Sequence, residues 1–150
     1  MTKILSIVSI FAFSVALWVI PASAQQAPSQ AALDETVKVY CEAWGEPDLE
    51  RRRQMLERVW VPEGTYTDPS SHVEGREALI QRITAFLQKF ASAQVVPSSH
   101  ADMHHGVLRF TWKVVSADGK TLIEGIDFGE VAADGRLKKI VGFFGPSKPL

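Results

Sequence analysis

The chain has 150 residues, 46% of them hydrophobic, and its 16 Lys and Arg against 17 Asp and Glu leave a formal charge of −1. That balance excludes the basic footprint of a nucleic-acid binder, and a single cysteine excludes an internal disulfide. The sequence has no asparagine, so it has neither an N-glycosylation sequon nor an Asn for a catalytic role.

In chain order, Lys3 is followed by an almost wholly apolar run from Ile4 to Ile20, and Ala22 and Ala24 stand in A-x-A spacing. This pattern predicts a signal peptide over residues 1–24, cleaved after Ala24, and hence an exported protein, periplasmic or secreted. Cleavage leaves no later apolar run long enough to span a membrane. Residues 25–30 read as a flexible lead-in, residues 31–146 as one α+β domain, and residues 147–150 as a tail.

A first helix is predicted from Ala31 to Trp44, with Leu33, Val37, Tyr40, Cys41 and Trp44 on one stripe. Cys41 among apolar neighbours reads as a buried, inert thiol. Gly45 ends this helix and Pro47 suits the first position of a second one. That helix buries Leu49, Leu56, Val59 and Trp60, with Arg51, Arg52 and Arg53 on a solvated face, and stops at Pro62 and Gly64. A short strand over Gly64–Thr67 ends at Asp68-Pro69. Gly75 precedes a third helix carrying Leu79, Ile80, Ile83, Phe86, Leu87 and Phe90 at helical spacing.

Beyond Phe90 the period changes to two. Strands are expected over Gln94–Ser99, His104–Ser116, Thr121–Val131 and Leu137–Phe144, with Asp-Gly turns in "ADGK" and "ADGR". The expected order is α-α-β-α-β-β-β-β: a cone-shaped, curved antiparallel sheet covered by three helices, with an apolar interior suited to a small ligand. Trp44, Trp60, Tyr66, Phe86 and Phe110 are expected to line that interior. So are Trp112, Ile123, Ile140 and Phe144, the last three on the same side as Asp127.

The segments "YCEAWGEPDLERR", "YTDP…EGREAL" and "GIDFGEVAADGRLKKIVGFF" make the chain resemble the nuclear-transport-factor-2-like superfamily in its SnoaL-like branch. The resemblance runs from about Asp34 to Phe144. Steroid Δ-isomerases of this superfamily are similar at three positions: a first-helix tyrosine at Tyr40, an Asp-Pro base at Asp68, and an acid in an Ile-Asp step at Asp127. The resemblance implies that Asp68 takes a proton from carbon while Tyr40 and a protonated Asp127 hold the enolate oxygen, with no cofactor. On their own residues, each has an ordinary role as well. Asp68 can cap a turn, Tyr40 can be core, and Asp127 needs a partner, a cavity or water.

His72 and Arg109 are expected to bring charge near the mouth. His100, Asp102, His104 and His105 lie close together in "SHADMHH", but their spacing matches no standard zinc pattern, so no metal site is assigned. Two functions follow as expectations. One is an acid/base isomerase, dehydratase or cyclase acting on a small uncharged substrate. The other is a non-catalytic domain that binds a small apolar molecule or forms a homodimer through Val107, Arg109, Thr111, Lys113 and Val115.

Overall fold

The computed structural model describes residues 28–146 and residue 149; the predicted signal peptide, most of the lead-in and most of the tail lie outside them. Helix α1 (Gln30–Ala43) starts at Ser29, whose hydroxyl accepts a hydrogen bond from the Ala32 N–H and so satisfies a donor that the first turn leaves free. Helix α2 (Leu49–Val59) starts two residues later than Pro47 suggested. Asp48 is its cap, with Oδ1 accepting from Arg51 N at 2.8 Å. Within α2, Arg52 departs from the expected solvated face and is buried. Its guanidinium donates to the Glu46 carbonyl and to Thr84 Oγ1, tying α2 to the third helix.

Strand β1 (Trp60–Asp68) follows α2 without a loop, so it is longer than the four residues expected. The segment holding Pro62 and Gly64 does not stop the chain. It falls where the pairing register shifts between Trp60 and Thr65, and the irregular ladder accommodates a missing N–H there. Strand β2 (Ser71–Glu74), not expected from the sequence, folds back on β1, with Asp68 opposite Ser71. Gly75, at φ 87°, makes the left-handed bend into α3 (Arg76–Lys89).

The rest is β3 (Gln94–Pro97), β4 (Asp102–His104), β5 (Val107–Val115), β6 (Thr121–Val131) and β7 (Leu137–Phe144). The sheet order is β2-β1-β7-β6-β5-β3, with β4 also on β5. The sheet is curved and unclosed, as expected, but it is mixed rather than wholly antiparallel. β1 and β7 run parallel, which is possible because a long crossover separates them in the chain.

The two faces differ as the period of two requires. On β5, Leu108, Phe110, Trp112 and Val114 are buried, while Val107 and Arg109 are exposed. Leu33, Val37, Leu56, Leu79, Ile80 and Ile83 bring the helices onto the buried face and are at most 2% exposed. Among the described residues no helix is long and apolar enough to cross a membrane.

Candidate functional site

Between α3 and the inner face of the sheet lies a cavity of about 280 Å³. Its walls are mostly apolar. Tyr40 and Cys41 come from α1 and Trp44 from its C-terminal cap, Phe86 and Ala85 from α3, Val95 from β3, Trp112 and Val114 from β5, Ile123 from β6 and Phe144 from β7. Tyr40, Asp68 and Asp127 all line it, so the three positions singled out from sequence are brought together. Trp44, Tyr66, Phe86, Trp112, Ile123 and Phe144 also line it.

Trp60, Phe110 and Ile140 do not. The Tyr40 ring covers the first two, stacking on Trp60 with centroids 5.7 Å apart and meeting Phe110 edge-on at 6.3 Å. All three are at most 1% exposed and belong to the core behind the cavity wall.

Asp68 ends β1 and does both things its sequence context allowed. Its Oδ1 accepts from the backbone N–H and hydroxyl of Ser70, each at 2.7 Å, and from Ser71 Oγ at 3.1 Å. This is the turn role. Its Oδ2 accepts from Tyr66 Oη at 2.9 Å and from Arg82 Nη2 at 2.8 Å. Burial opposes its ionisation, but the bonds from Ser70, Arg82 and Tyr66 outweigh that and hold its pKa at about 2.

Arg82 is the residue that the sequence reading missed. It lies four residues before Phe86 and seven before Lys89, on the helix face that the cavity exposes. A cation beside that apolar stripe was the available signal. Its Nε donates to Ser71 Oγ, and its guanidinium carbon lies 5.6 Å from the Trp44 ring centroid. The residues expected to charge the mouth are elsewhere. Arg109 pairs with Asp102, and His72 is exposed beside Thr67 and Glu74. His100 is held by Asp34, so the residues of "SHADMHH" are drawn to different partners.

Asp127 is the opposite kind of carboxyl. It is 4% exposed, and among the described residues its hydrogen bond comes from Trp112 Nε1, 2.7 Å from Oδ1. Burial pushes its pKa up to about 7; the Trp112 bond works against that shift and the nearby Asp68 charge works with it.

Two glycines make this arrangement fit. Gly125, opposite Trp112 in the β5–β6 ladder, leaves the space its indole occupies: a Cβ there would lie 2.3 Å from the ring. Gly142, opposite Asp127, leaves the space for its carboxyl. Tyr40 stays protonated because burial, and then the Asp127 charge, raise its pKa far above the usual phenol range; Tyr66 is raised by burial and by Asp68.

Residues 37–140 match the family model of the SnoaL-like domain. The chain belongs to the SnoaL-like domain family. A solved SnoaL-like relative from Agrobacterium tumefaciens, described as a proposed isomerase, is 31% identical. It superposes with a TM-score of 0.72, over 77% of this chain and 99% of that one. A proposed SnoaL-like polyketide cyclase from Jannaschia is 18% identical with a TM-score of 0.63, over 79% of this chain and 89% of the other. A proposed polyketide cyclase from Sinorhizobium meliloti is 16% identical with a TM-score of 0.56, over 76% and 98%. These last two are similar in fold alone. Comparison with curated proteins returned no match. SnoaL-like membership fixes the architecture; chemistry has to come from the side chains in the cavity.

Proposed function

We propose that this SnoaL-like protein is a cofactor-free acid/base catalyst that moves a proton on a small molecule next to a carbonyl group. The observation that carries the proposal is the state of Asp127: a carboxyl inside an apolar cavity, poised to gain or lose a proton near pH 7. A general base works best when its pKa lies near the operating pH.

The steroid-isomerase resemblance puts the base at Asp68. The hydrogen bonds around Asp68 favour a different division of labour. A carboxylate whose pKa is about 2 and which already accepts from Tyr66, Ser70, Ser71 and Arg82 has little affinity for a substrate proton. In our reading Asp127 takes the proton from carbon. The Tyr40 phenol donates a hydrogen bond to the resulting enolate oxygen, and protonated Asp127 returns the proton to carbon. Asp68 and Arg82 act as a fixed ion pair that shapes the end of the cavity, and the Asp68 charge adds to burial in raising the Asp127 pKa toward the working pH. The description of the Agrobacterium relative as a proposed isomerase supports this reading.

The test is exchange of carbon-bound hydrogen in D₂O for a panel of enolisable ketones, with the wild type, Asp127→Asn and Asp68→Asn. Exchange that depends on Asp127 supports the reading. Equal rates with the wild type and Asp127→Asn would sink it.

A non-catalytic carrier is favoured by one observation, the saturated hydrogen bonding of Asp68. In that case Asp127→Asn would bind an apolar ligand as well as the wild type, and neither would exchange hydrogen. We further propose a homodimer through the outer sheet face, where Val107 and Arg109 are joined by exposed Phe128 and Phe143 packed edge-to-face. Analytical ultracentrifugation of Phe143→Glu tests it, with a monomer expected. Export is likewise proposed, and the intact mass of the secreted chain should show cleavage after Ala24.

A further inference from the structure

The acid/base reading uses one end of the cavity and leaves a cation at the other. Arg82 and Lys89 both line the cavity from α3. They are seven residues apart, so they sit on one helix face at a separation of about 10 Å. Arg82 marks the reacting end, because it pairs with Asp68. A Cβ on Gly142 would lie 2.8 Å from Asp127 Oδ1 and 3.9 Å from Asp68 Cβ, so the two acids are neighbours there.

Lys89 marks the far end. The next residue, Phe90, is tied by its carbonyl to the Ala93 N–H, at the start of the turn into β3. Val95 of β3 pairs with Val114, and Val114 with Ile123; all three line the cavity. From Asp127 to Ile123 is four strand residues, or about 13 Å, so the cavity is elongated along the sheet.

The charges at the two ends differ. Asp68 neutralises Arg82. Lys89 has no carboxylate partner among the described residues, and its ammonium stands 5.3 Å from the Phe90 ring centroid. The cavity therefore combines a long apolar wall with one uncompensated positive group.

We infer that the ligand is an amphipathic monoanion, with an apolar body about 10 Å long, its reactive uncharged end toward Asp127 and its acidic group on Lys89. This names the substrate class of the proposed site and rests on that reading for which end reacts. An exposed ammonium beside an aromatic ring at the mouth of an apolar cavity is well placed to take a carboxylate, because it donates a charge-assisted hydrogen bond while the cavity takes the apolar body. A neutral ligand would leave that donor unused.

The test is tryptophan fluorescence titration at pH 6 with octanoate and with octanamide, which share shape and differ in charge. The wild type should bind octanoate about tenfold tighter than the amide. Lys89→Gln should abolish the preference by weakening octanoate alone, and Lys89→Arg should keep it. Lys89 is exposed, so these variants should fold as the wild type does. Equal affinities in the wild type, a preference that survives Lys89→Gln, or no binding of either compound would each overturn the inference. Binding is read without turnover, and Asp127→Asn should keep the preference for octanoate. Failure of the proton-transfer reading is therefore seen separately, in the hydrogen-exchange experiment.

Discussion

Gly142 and Asp127 face each other across the β7–β6 ladder, and the missing Cβ of Gly142 is the space that the Asp127 carboxyl fills. A Cβ there would lie 2.8 Å from Asp127 Oδ1. Gly142→Ala should therefore push the carboxyl away from Trp112 and off its position in the cavity. We expect about 1–3 kcal/mol of destabilisation from this overpacking. Hydrogen exchange on ketones should fall by about tenfold or more, since small misplacements of a catalytic group carry large rate effects. Chemical denaturation and the exchange assay measure the two effects independently.

The Trp112 bond lowers the pKa of Asp127 against the effect of burial. Trp112→Phe removes that donor while keeping an aromatic ring over Gly125. The pKa of Asp127 should then rise further, by about one unit if the lost bond is worth an ordinary charge-assisted amount. For a base that must be ionised to act, the rising limb of the rate–pH profile should move to higher pH. A limb that stays in place would show that Asp127 does not set it.

Asp127 also makes a signed prediction for stability. Its pKa is raised in the folded chain, from 3.8 to about 7. Between those values the folded state keeps a proton that the unfolded chain has released, so stability falls as pH rises through that window. The loss is at most roughly 4 kcal/mol by pH 7. Asp68 has the opposite sign. Its pKa is lowered to about 2, so its contribution is present above pH 4 and is lost as pH falls from about 4 toward 2. Urea unfolding from pH 3 to pH 8 should therefore show greatest stability near about pH 4, with a decline toward either end of the range. Asp127→Asn should remove the decline on the alkaline side and leave the acid side unchanged.

The fold was largely legible in the sequence because its signals are local. The apolar stripe of α3 and the Asp-Gly turns before β6 and β7 lie where the pattern put them. The parallel pairing of β1 with β7 was not legible. It joins Tyr66 to Ile140 across more than seventy residues, and no local period reports it. β2 was hidden because "SHVE" is four half-exposed or exposed residues with no apolar alternation.

The site divided in the same way. Tyr40, Asp68 and Asp127 could be named from their positions in the sequence. What each carboxyl does depends on partners that only the fold supplies, such as Arg82 from fourteen residues downstream for Asp68. Trp60, Phe110 and Ile140 share the faces of the wall, but a face does not tell that Tyr40 covers the first two or that Ile140 is sealed in the core.

Arg82 and Asp68 form an ion pair with the carboxylate fully buried. Arg82→Met should cost about 3–5 kcal/mol, because it leaves a buried charge without its main counter-charge. Adding Asp68→Asn to it should recover part of that loss. A double-mutant cycle by thermal or urea denaturation gives the coupling directly, and additive effects would mean that the pair contributes nothing as a unit.

The proposed proton transfer depends on the protonation of Asp127. Carbon-13 NMR of its side-chain carboxyl, assigned by comparison with Asp127→Asn and followed from pH 3 to pH 9, reports that protonation directly. A midpoint near 7 is predicted, with Asp68 already ionised throughout nearly the whole range. A midpoint near 4, the value of an ordinary exposed aspartate, would contradict it.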